Sequence, residues 1–447
     1  MAIPRTPPKT PAPDALVPKK RGGDIRAIFV HAGAGYHSVQ NQNLHLKACE
    51  DACKAAMYLL KSGATAVEAC EIAIRVLEDK EITNAGYGSN LAVDGVVECD
   101  AVVVDHFGRS GAVGAVAQIQ NPIVLARKVL DHSMEPLTLK RVAPNLLVGQ
   151  GATDFAYEMG LPILPHDALV SPGARERWKR WVEDLRKAEK RKIERIEKLG
   201  ITGGGFKRKR RTPNLLPRDL EQEKIREMKQ EGPSPSAGTP IPHVPTITED
   251  NKSNDRDDMI IDTVGAIAID VYGNIAAGAS SGGIGMKRRG RIGPAALVNV
   301  GAAVIPISEG DDDRTCTAAV TSGTGEHMTT TMAAGVCAER LYRSVKSEGA
   351  FNTPSNADAM DGSVGSLGNR LGHPSVKNSN CGGAIGVLAI KKTSEGAFLY
   401  FAHNTDSFAL ASMHANEPLP VCCMSRSPGG GAIAQGGRAM RFKKRKN

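Results

Sequence analysis

One abrupt change in composition constrains this chain more than any other sequence feature. Residues 171–200 are charged with apolar residues at helical spacing, and residues 212–258 are rich in Pro, Ser, Asn and acids. Such sequence buries too little apolar surface to form a core, so we expect a charged helical insert and a disordered linker over 171–258. The remaining predicted units are a disordered N-terminus at 1–25, core segments at 26–170 and 259–435, and a basic tail at 436–447.

The overall composition is that of a folded protein with a core of small residues. The 447 residues are 41% hydrophobic but only 4% aromatic, and 48 of them are Gly. A core of Ala, Val, Ile and Leu with many tight turns suits closely packed α/β layers and excludes a wholly disordered protein. No stretch approaches the roughly 20 apolar residues that span a bilayer, and the N-terminus lacks the apolar run of a signal peptide. We therefore expect a soluble, intracellular protein.

The nine cysteines are an odd number and are scattered along the chain. This pattern favours reduced thiols over a disulfide framework, and the absence of a CxxC pair gives no support to zinc. Cys49 and Cys53 lie one helical turn apart, where two small residues on a buried helix face are the simpler interpretation.

Apolar periodicity predicts helices and strands in both core segments. A capping box at Thr65 and Glu68 opens a helix, and Asn121-Pro122 begins another. The other predicted helices are at about 44–60, within 171–200, and at 326–341. The predicted strands are 27–30, 100–105, 111–119, 264–269, 275–281, 314–321, 384–390 and 398–403.

Several common enzyme motifs are missing. The sequence has no GxxxxGK[ST] phosphate loop, no HExxH and no GxSxG elbow, and the HAGAG run at 31–35 lacks the third glycine of a dinucleotide fingerprint. P-loop enzymes, zinc peptidases and α/β-hydrolases therefore lose support.

Thr263 stands at the first residue of a predicted buried strand, directly behind the linker and Asp262. A threonine hydroxyl is a weak nucleophile near neutral pH and needs a base within hydrogen-bond reach. Its own α-amine has a suitable pKa of roughly 8, but it exists only after the preceding peptide bond is broken. The position therefore predicts a precursor that cleaves itself between Asp262 and Thr263.

Further motifs resemble one family. The runs DTVGA at 262–266, SSGG at 280–283 and GRIG at 290–293 resemble the threonine-nucleophile block of the type-2 asparaginase family of N-terminal-nucleophile (Ntn) hydrolases. The runs HAGAGYHS at 31–38, TNAGYGSNL at 83–91 and SGTGEH at 322–327 are similar to its threonine aspartase (taspase) branch. The resemblance covers roughly 26–170 and 259–410.

The resemblance implies a fold and a set of roles. The fold is α+β, a four-layer αββα sandwich that self-cleavage divides into α and β chains, with an α2β2 heterotetramer as the assembly. No metal or organic cofactor is implied. The implied roles are nucleophile for Thr263, second hydroxyl for Ser281, contact to the nucleophile for Asn84, carboxylate clamp for Arg291, and oxyanion loop for Ser322 and Gly323.

Each of these residues also has an ordinary explanation. Thr263 could simply begin a strand, Ser281 could be a satisfied strand hydroxyl, and Asn84 could be a turn residue. Arg291 could belong to a solvated basic loop, and 322–325 to a turn between strand and helix. His31 and His37 invite a general-base role, but because a threonine amine is available we interpret both as structural.

One position departs from the asparaginases of the family. Their arginine is followed three residues later by an aspartate that holds the substrate's free α-amino group, and here that position is Pro294. An endopeptidase meets no free α-amine at its aspartate, so we expect a threonine endopeptidase that cleaves protein substrates after aspartate. The alternatives are an L-asparaginase or isoaspartyl peptidase on the same fold, and a non-catalytic basic nuclear binding protein.

The basicity of the chain is local. The net charge is +9, and residues 175–211 contain 16 basic and 6 acidic side chains. We interpret the cluster within this segment as a nuclear import signal that binds an import receptor, which predicts a protein of nucleus and cytoplasm with nuclear regulators as substrates. Nucleic-acid binding is disfavoured because no aromatic residues are interleaved. The cluster consists of Lys207, Arg208, Lys209, Arg210 and Arg211.

Overall fold

The computed structural model describes residues 25–198, 263–343, 383–429 and 432–442, without the side chains of 196–198. Residues 1–24 of the disordered N-terminus predicted at 1–25, the linker, the cluster Lys207–Arg211 and Asp262 lie outside the described residues.

The larger sheet has eight strands and draws on both core segments. From one edge to the other the order is β12-β11-β1-β5-β6-β2-β3-β4, antiparallel throughout except for β3 with β4. Its strands are β1 (Ala27–Gly35), β2 (Cys99–Val104), β3 (Ser110–Val116), β4 (Leu146–Val148), β5 (Val264–Ile269), β6 (Ile275–Ser281), β11 (Ser407–His414) and β12 (Val421–Arg426).

The smaller sheet has five antiparallel strands in the order β13-β10-β9-β8-β7. They are β7 (Ala302–Ile305), β8 (Cys316–Gly323), β9 (Ile385–Lys392), β10 (Gly396–His403) and β13 (Ala434–Arg441). Strand β13 pairs with β10 over its whole length. The core therefore continues past residue 435 to Arg441, and this part of the segment predicted as a tail belongs to the sheet.

Seven α-helices are described: α1 (Gln42–Lys61), α2 (Ala66–Glu78), α3 (Pro122–Ser133), α4 (Gly149–Glu158), α5 (Pro172–Lys198), α6 (Gly325–Thr331) and α7 (Ala333–Arg343). The capping box that opens α2 is confirmed, since Thr65 and Glu68 each accept a hydrogen bond from the other's backbone N–H. The single helix predicted over 326–341 is wrong. Met332 adopts a left-handed conformation with φ of 49°, which ends α6 before α7 begins.

Three apolar clusters stack the elements into layers. The first lies between the larger sheet and helices α1, α2 and α3, with Ile74 as a central member. The second fills the space between the sheets and includes Phe29 and Leu388, and the third lies between the smaller sheet and Leu341 of α7. The order helix, sheet, sheet, helix is consistent with the predicted α+β sandwich.

The first turns of helix α5 pack against the core. Trp178 and Val182 are buried in the first cluster, and the Trp178 indole donates a hydrogen bond to the Ala92 carbonyl at 3.1 Å. The prediction that the charged segment contributes nothing to the core is therefore wrong for its first turns, because the two apolar side chains fall on one helix face. Among the described residues, no helix combines the length and apolar character needed to cross a bilayer.

Candidate active site

Thr263 lies at the entrance to β5 and is almost completely buried. Its backbone N–H donates to the Ser322 hydroxyl at 3.2 Å, and the Ala34 N–H donates to the same oxygen at 2.9 Å. Ser322 belongs to β8 of the other sheet, so the predicted nucleophile sits where the two sheets meet. The nitrogen that cleavage would turn into an α-amine already faces a side-chain oxygen.

Ser281 ends the neighbouring strand. Val264 pairs with Ser280, so the same antiparallel register brings Thr263 opposite Ser281. The Ser281 hydroxyl accepts a hydrogen bond from the Gly283 N–H at 3.0 Å. This register places the second hydroxyl implied by the family resemblance on the strand next to that of Thr263.

Asn84 supports the glycine turn after Ser281. Its side-chain amide donates to the Gly283 carbonyl at 2.8 Å, its backbone carbonyl accepts from Gly282, and its Oδ1 accepts from the Asn90 N–H at 2.9 Å. These contacts brace the turn and do not involve Thr263. Asn90 itself lies within the sequence motif that contains Asn84, and its role was missed.

Arg291 occupies a slot bordered by three glycines. A Cβ placed on Gly283, Gly293 or Gly325 would lie 3.0, 2.9 or 2.7 Å from a guanidinium nitrogen. Any larger residue at these positions would push the side chain away. Of the two glycines in the GRIG run at 290–293, Gly293 packs against the guanidinium, whereas Gly290 has φ of +80° and open space at its Cβ position.

The guanidinium of Arg291 is paired with the Glu326 carboxylate. Nε and Nη2 donate to the same oxygen, Oε1, at 3.0 and 2.8 Å. Burial would raise the pKa of Glu326, but the hydrogen bonds and charge of Arg291 outweigh it and the pKa is lowered. Glu326 is a site residue that sequence reasoning missed, although it lies in the SGTGEH motif.

The basic loop that contains Arg291 is anchored and is not simply solvated. Lys287 is buried and donates to the Glu98 carbonyl at 2.7 Å, while the Glu98 carboxylate accepts from Arg289 and from the Gly290 N–H. This network fixes the path of the backbone that enters the site.

Asp100 holds the other end of the same loop. Its buried carboxylate accepts hydrogen bonds from the Gly293 N–H at 2.7 Å and from the Ala115 N–H at 2.8 Å, and the residue pairs with Ser281 across β2 and β6. Burial raises the pKa of Asp100, with Lys287 the main opposing charge. No motif in the sequence indicated this residue, because its partners are distant backbone amides.

Pro294 begins a short 3₁₀ helix, Pro294–Ala296, and is buried. A Cβ on Gly325 would lie 2.7 Å from its Cδ. The ring thus fills the space beside Arg291 where the asparaginase pattern has a carboxylate.

Gly323 needs a conformation that other residues avoid. Its φ is +134°, and a Cβ there would lie 2.1 Å from the Ala384 carbonyl oxygen, which accepts the Thr324 N–H at 2.7 Å. The Ser322–Gly323 corner is therefore tightly fixed beside Thr263. Its oxyanion role stays a prediction.

The two histidines of the glycine loop lie in packed surroundings. The His31 ring lies 5.3 Å from the Phe408 ring, and His37 contacts the Ser407 hydroxyl through both its N–H and its Nδ1, at 2.9 and 2.8 Å. Within the described part of the chain, no group of three or more His, Cys, Asp or Glu side chains is arranged to hold a metal ion.

Comparison with known proteins agrees with this arrangement. A family model described as Asparaginase matches residues 25–406. The chain belongs to the asparaginase family. This is a family of Ntn hydrolases, so the family predicted from the motifs is confirmed. The assignment of the chain to the threonine aspartase branch of this family is a proposal.

Three relatives illustrate the family match. The isoaspartyl peptidase/L-asparaginase of Xenopus laevis is 28% identical over 342 residues, which cover 76% of this chain and 83% of that protein. The mouse protein of the same name is 30% identical over 302 residues, 67% of each chain. A plant-type L-asparaginase of Pyrococcus abyssi is 32% identical over 279 residues, 62% of this chain and 69% of that one.

Proposed function

We propose that this chain is a threonine endopeptidase that first cleaves its own Asp262–Thr263 bond and then cleaves protein substrates after aspartate. The observation that carries the proposal is the buried Pro294 beside Arg291. A proline has no group that binds an ammonium. A substrate aspartate inside a polypeptide has no free α-amine, so it needs only the carboxylate clamp.

The chemistry proceeds in two stages at Thr263. In the precursor the hydroxyl attacks the Asp262 carbonyl, the ester C–O bond forms, and the C–N bond breaks as the nitrogen takes up the proton. This break frees the α-amine, and water then hydrolyses the ester, which releases the Asp262 carboxyl group and restores the Thr263 hydroxyl. In turnover this amine accepts the hydroxyl proton while the oxygen attacks the substrate carbonyl. The substrate C–N bond then breaks as its nitrogen takes up that proton and leaves, and water hydrolyses the resulting ester to release the acyl product.

The surroundings of Thr263 support this sequence of steps. The residue is shielded from bulk water, and its nitrogen lies 3.2 Å from the Ser322 hydroxyl. A hydrogen bond at that nitrogen can orient the amine toward the threonine's own hydroxyl. Arg291, which is mostly buried, offers charge-assisted donors for an aspartate side chain.

A second candidate is an L-asparaginase or isoaspartyl peptidase. It is favoured by the names of the relatives, which are called isoaspartyl peptidase/L-asparaginase or plant-type L-asparaginase. One structural observation also favours it, because the Glu326 carboxylate next to Arg291 is 58% exposed and could receive a substrate ammonium in place of the missing aspartate.

Intact mass and N-terminal sequencing test the first stage. The wild type incubated at neutral pH should yield a chain that begins Thr263-Val264-Gly265, and Thr263→Ala should stay uncut and inactive. Thr263→Ser, which keeps a hydroxyl, should retain part of both activities. Processing of the Thr263→Ala variant would refute the self-generated nucleophile.

A substrate panel tests the second stage. We expect the cleaved protein to cut a peptide with blocked termini at an internal aspartate and to leave its asparagine counterpart intact. Turnover of L-asparagine or a β-aspartyl dipeptide without cleavage of the aspartate peptide would establish the second candidate instead.

A further inference from the structure

Glu326 accepts hydrogen bonds from one edge of the Arg291 guanidinium. Both hydrogen bonds, from Nε and Nη2, converge on a single oxygen of Glu326. A guanidinium has five N–H donors arranged in a plane. The Glu326 pair uses the Nε–Nη2 edge. Among the residues that the structure describes, it leaves Nη1 and the second hydrogen of Nη2, which together form the end edge.

The end edge is the one that a substrate carboxylate can use. Two parallel N–H···O bonds from Nη1 and Nη2 match the two oxygens of a carboxylate. The glycine slot defines the position of these nitrogens, since Gly283 and Gly293 border Nη1 and Gly325 borders Nη2. With Glu326 on the side edge and glycines around the tip, the plane of the guanidinium is fixed from two directions.

The burial of the two partners separates their roles. The Arg291 side chain is 16% exposed, whereas Glu326 is 58% exposed. An exposed acid in such a pair contributes little to the stability of a fold. The contribution of Glu326 is therefore geometric: it decides how an otherwise rotatable side chain presents its donors.

We propose that Glu326 is a positioning residue that orients Arg291 so that its end edge receives the aspartate carboxylate of the substrate. The proposal rests on the proposed function, which assigns a carboxylate to Arg291. Glu326 itself does not touch the reacting atoms, and Thr263 keeps its own contacts to Ser322.

Glu326→Ala and Glu326→Gln test the proposal with the full-length, self-cleaved protein and the blocked aspartate peptide. Loss of the carboxylate lets Arg291 rotate, so the alanine variant should raise KM about tenfold while kcat changes by less than about twofold. The glutamine variant keeps an oxygen that accepts from Nε and Nη2, and its KM should lie between those of the alanine variant and the wild type.

Glu339→Gln is the matched control. Glu339 forms an exposed pair with the Nε of Arg343 on α7, the same chemical contact away from the site. This variant should leave KM and kcat at wild-type values. An equal change of KM in both glutamine variants would mean a general effect of charge and would overturn the assignment.

Three other outcomes also overturn it. An unchanged KM in Glu326→Ala means that Arg291 is held without it. A lower KM means that Glu326 competes with the substrate carboxylate. If the variants lose activity on L-asparagine alone and cleave the blocked peptide as the wild type does, Glu326 binds the substrate ammonium instead.

Failure of the proposed function gives a different result. If the wild type turns over L-asparagine but not the peptide, the endopeptidase assignment fails. The inhibition constant of succinamate, which has the carboxylate of asparagine without its ammonium, then tests Glu326 by the same criteria. A wild type that turns over neither substrate contradicts both the function and the inference.

Discussion

At the scale of single residues, the site depends on side chains that are absent as much as on those that are present. Arg291 reaches its position because three glycines leave room for its guanidinium. Close packing of this kind transmits small changes in volume directly to the neighbouring group. The glycines of this site therefore have a steric role, because a larger residue would displace the Arg291 guanidinium.

Gly325→Ala should weaken substrate binding. The added methyl group would lie 2.7 Å from both Arg291 Nη2 and Pro294 Cδ, and the arginine is the partner that can move. We expect KM for a carboxylate substrate to rise by about tenfold or more. Gly151→Ala is the control, since a Cβ there meets nothing within 4 Å, and steady-state kinetics of both variants would show a selective effect. Equal KM values for the Gly325→Ala and Gly151→Ala variants would contradict the steric role of Gly325.

Glu78 makes stability depend on pH. Burial raises its pKa from an ordinary 4.5 to about 8, against opposing hydrogen bonds from Ser280 and Ile123. Between these pH values the folded chain holds a proton that the unfolded chain releases, so the free energy of unfolding falls as pH rises through this window. Glu78→Gln cannot titrate, so its melting temperature should exceed that of the wild type at pH 8.5. At pH 5 the difference between the two melting temperatures should be much smaller.

The measurement is best made on the Thr263→Ala background, so that one uncut chain unfolds. The exposed Glu135, changed to Gln, gives a control whose melting curve should follow the parent at both pH values. If the melting temperatures of Glu78→Gln and the parent changed with pH in parallel, Glu78 would not be the group that binds the proton.

At the scale of elements, helix α5 joins a polar segment to the core through a few apolar side chains. Its first turns bury Trp178 and Val182, and the Trp181 ring lies where a Cβ on Gly285 would be. Further along, Leu185 is half exposed. The attachment of the helix is therefore concentrated near its N-terminal end.

Trp178→Ala should detach this end of α5. The indole is 6% exposed and donates to the Ala92 carbonyl, so its loss leaves a cavity and removes one of the two donors to that carbonyl, the other being the Gly95 N–H. We expect a decrease of about 3–5 kcal/mol in the free energy of unfolding, measured by urea on the uncut Thr263→Ala background. Leu185→Ala should change it by less than about 1 kcal/mol, and hydrogen exchange in α5 should increase only in the tryptophan variant.

The sequence predicted those elements whose pattern is local. Local apolar patterns indicated β2, β3, β5 and β6, and the motifs around Thr263 indicated the family. Strand β11, with the sequence SFALASMH, was missed because it is buried on both faces and shows no alternation. Asp100 and Glu326 were missed as site residues because their roles depend on partners distant in sequence, which tertiary packing alone brings together.

At the scale of the whole molecule, the two core segments are interleaved in one sheet. Strand β1 from the first segment lies between β11 and β5 from the second, and β6 then pairs with β2. A cut before Thr263 would therefore separate the chain without separating the sheet. Each product would lack the neighbours that satisfy its backbone hydrogen bonds.

The two chains formed by self-cleavage should remain associated. The first would contain 262 residues and the second the remaining 185 of 447. In size-exclusion chromatography under native conditions both should elute together, at the position of the uncut Thr263→Ala variant. Only a denaturant should resolve them, and separate elution in native buffer would contradict the shared sheet.

If the chain cleaves itself as proposed, the interleaved sheet would also make that cleavage difficult to reverse kinetically, because the two products refold differently from the precursor. The precursor folds as a single molecule, so its rate of folding does not depend on protein concentration. After cleavage, recovery from denaturation requires two different chains to meet, and its rate becomes second order. Neither chain alone has a complete sheet, and its exposed strand edges favour aggregation while it waits for its partner. A sample unfolded before cleavage should thus be rescued by dilution, whereas one unfolded after cleavage should recover worse the more it is diluted.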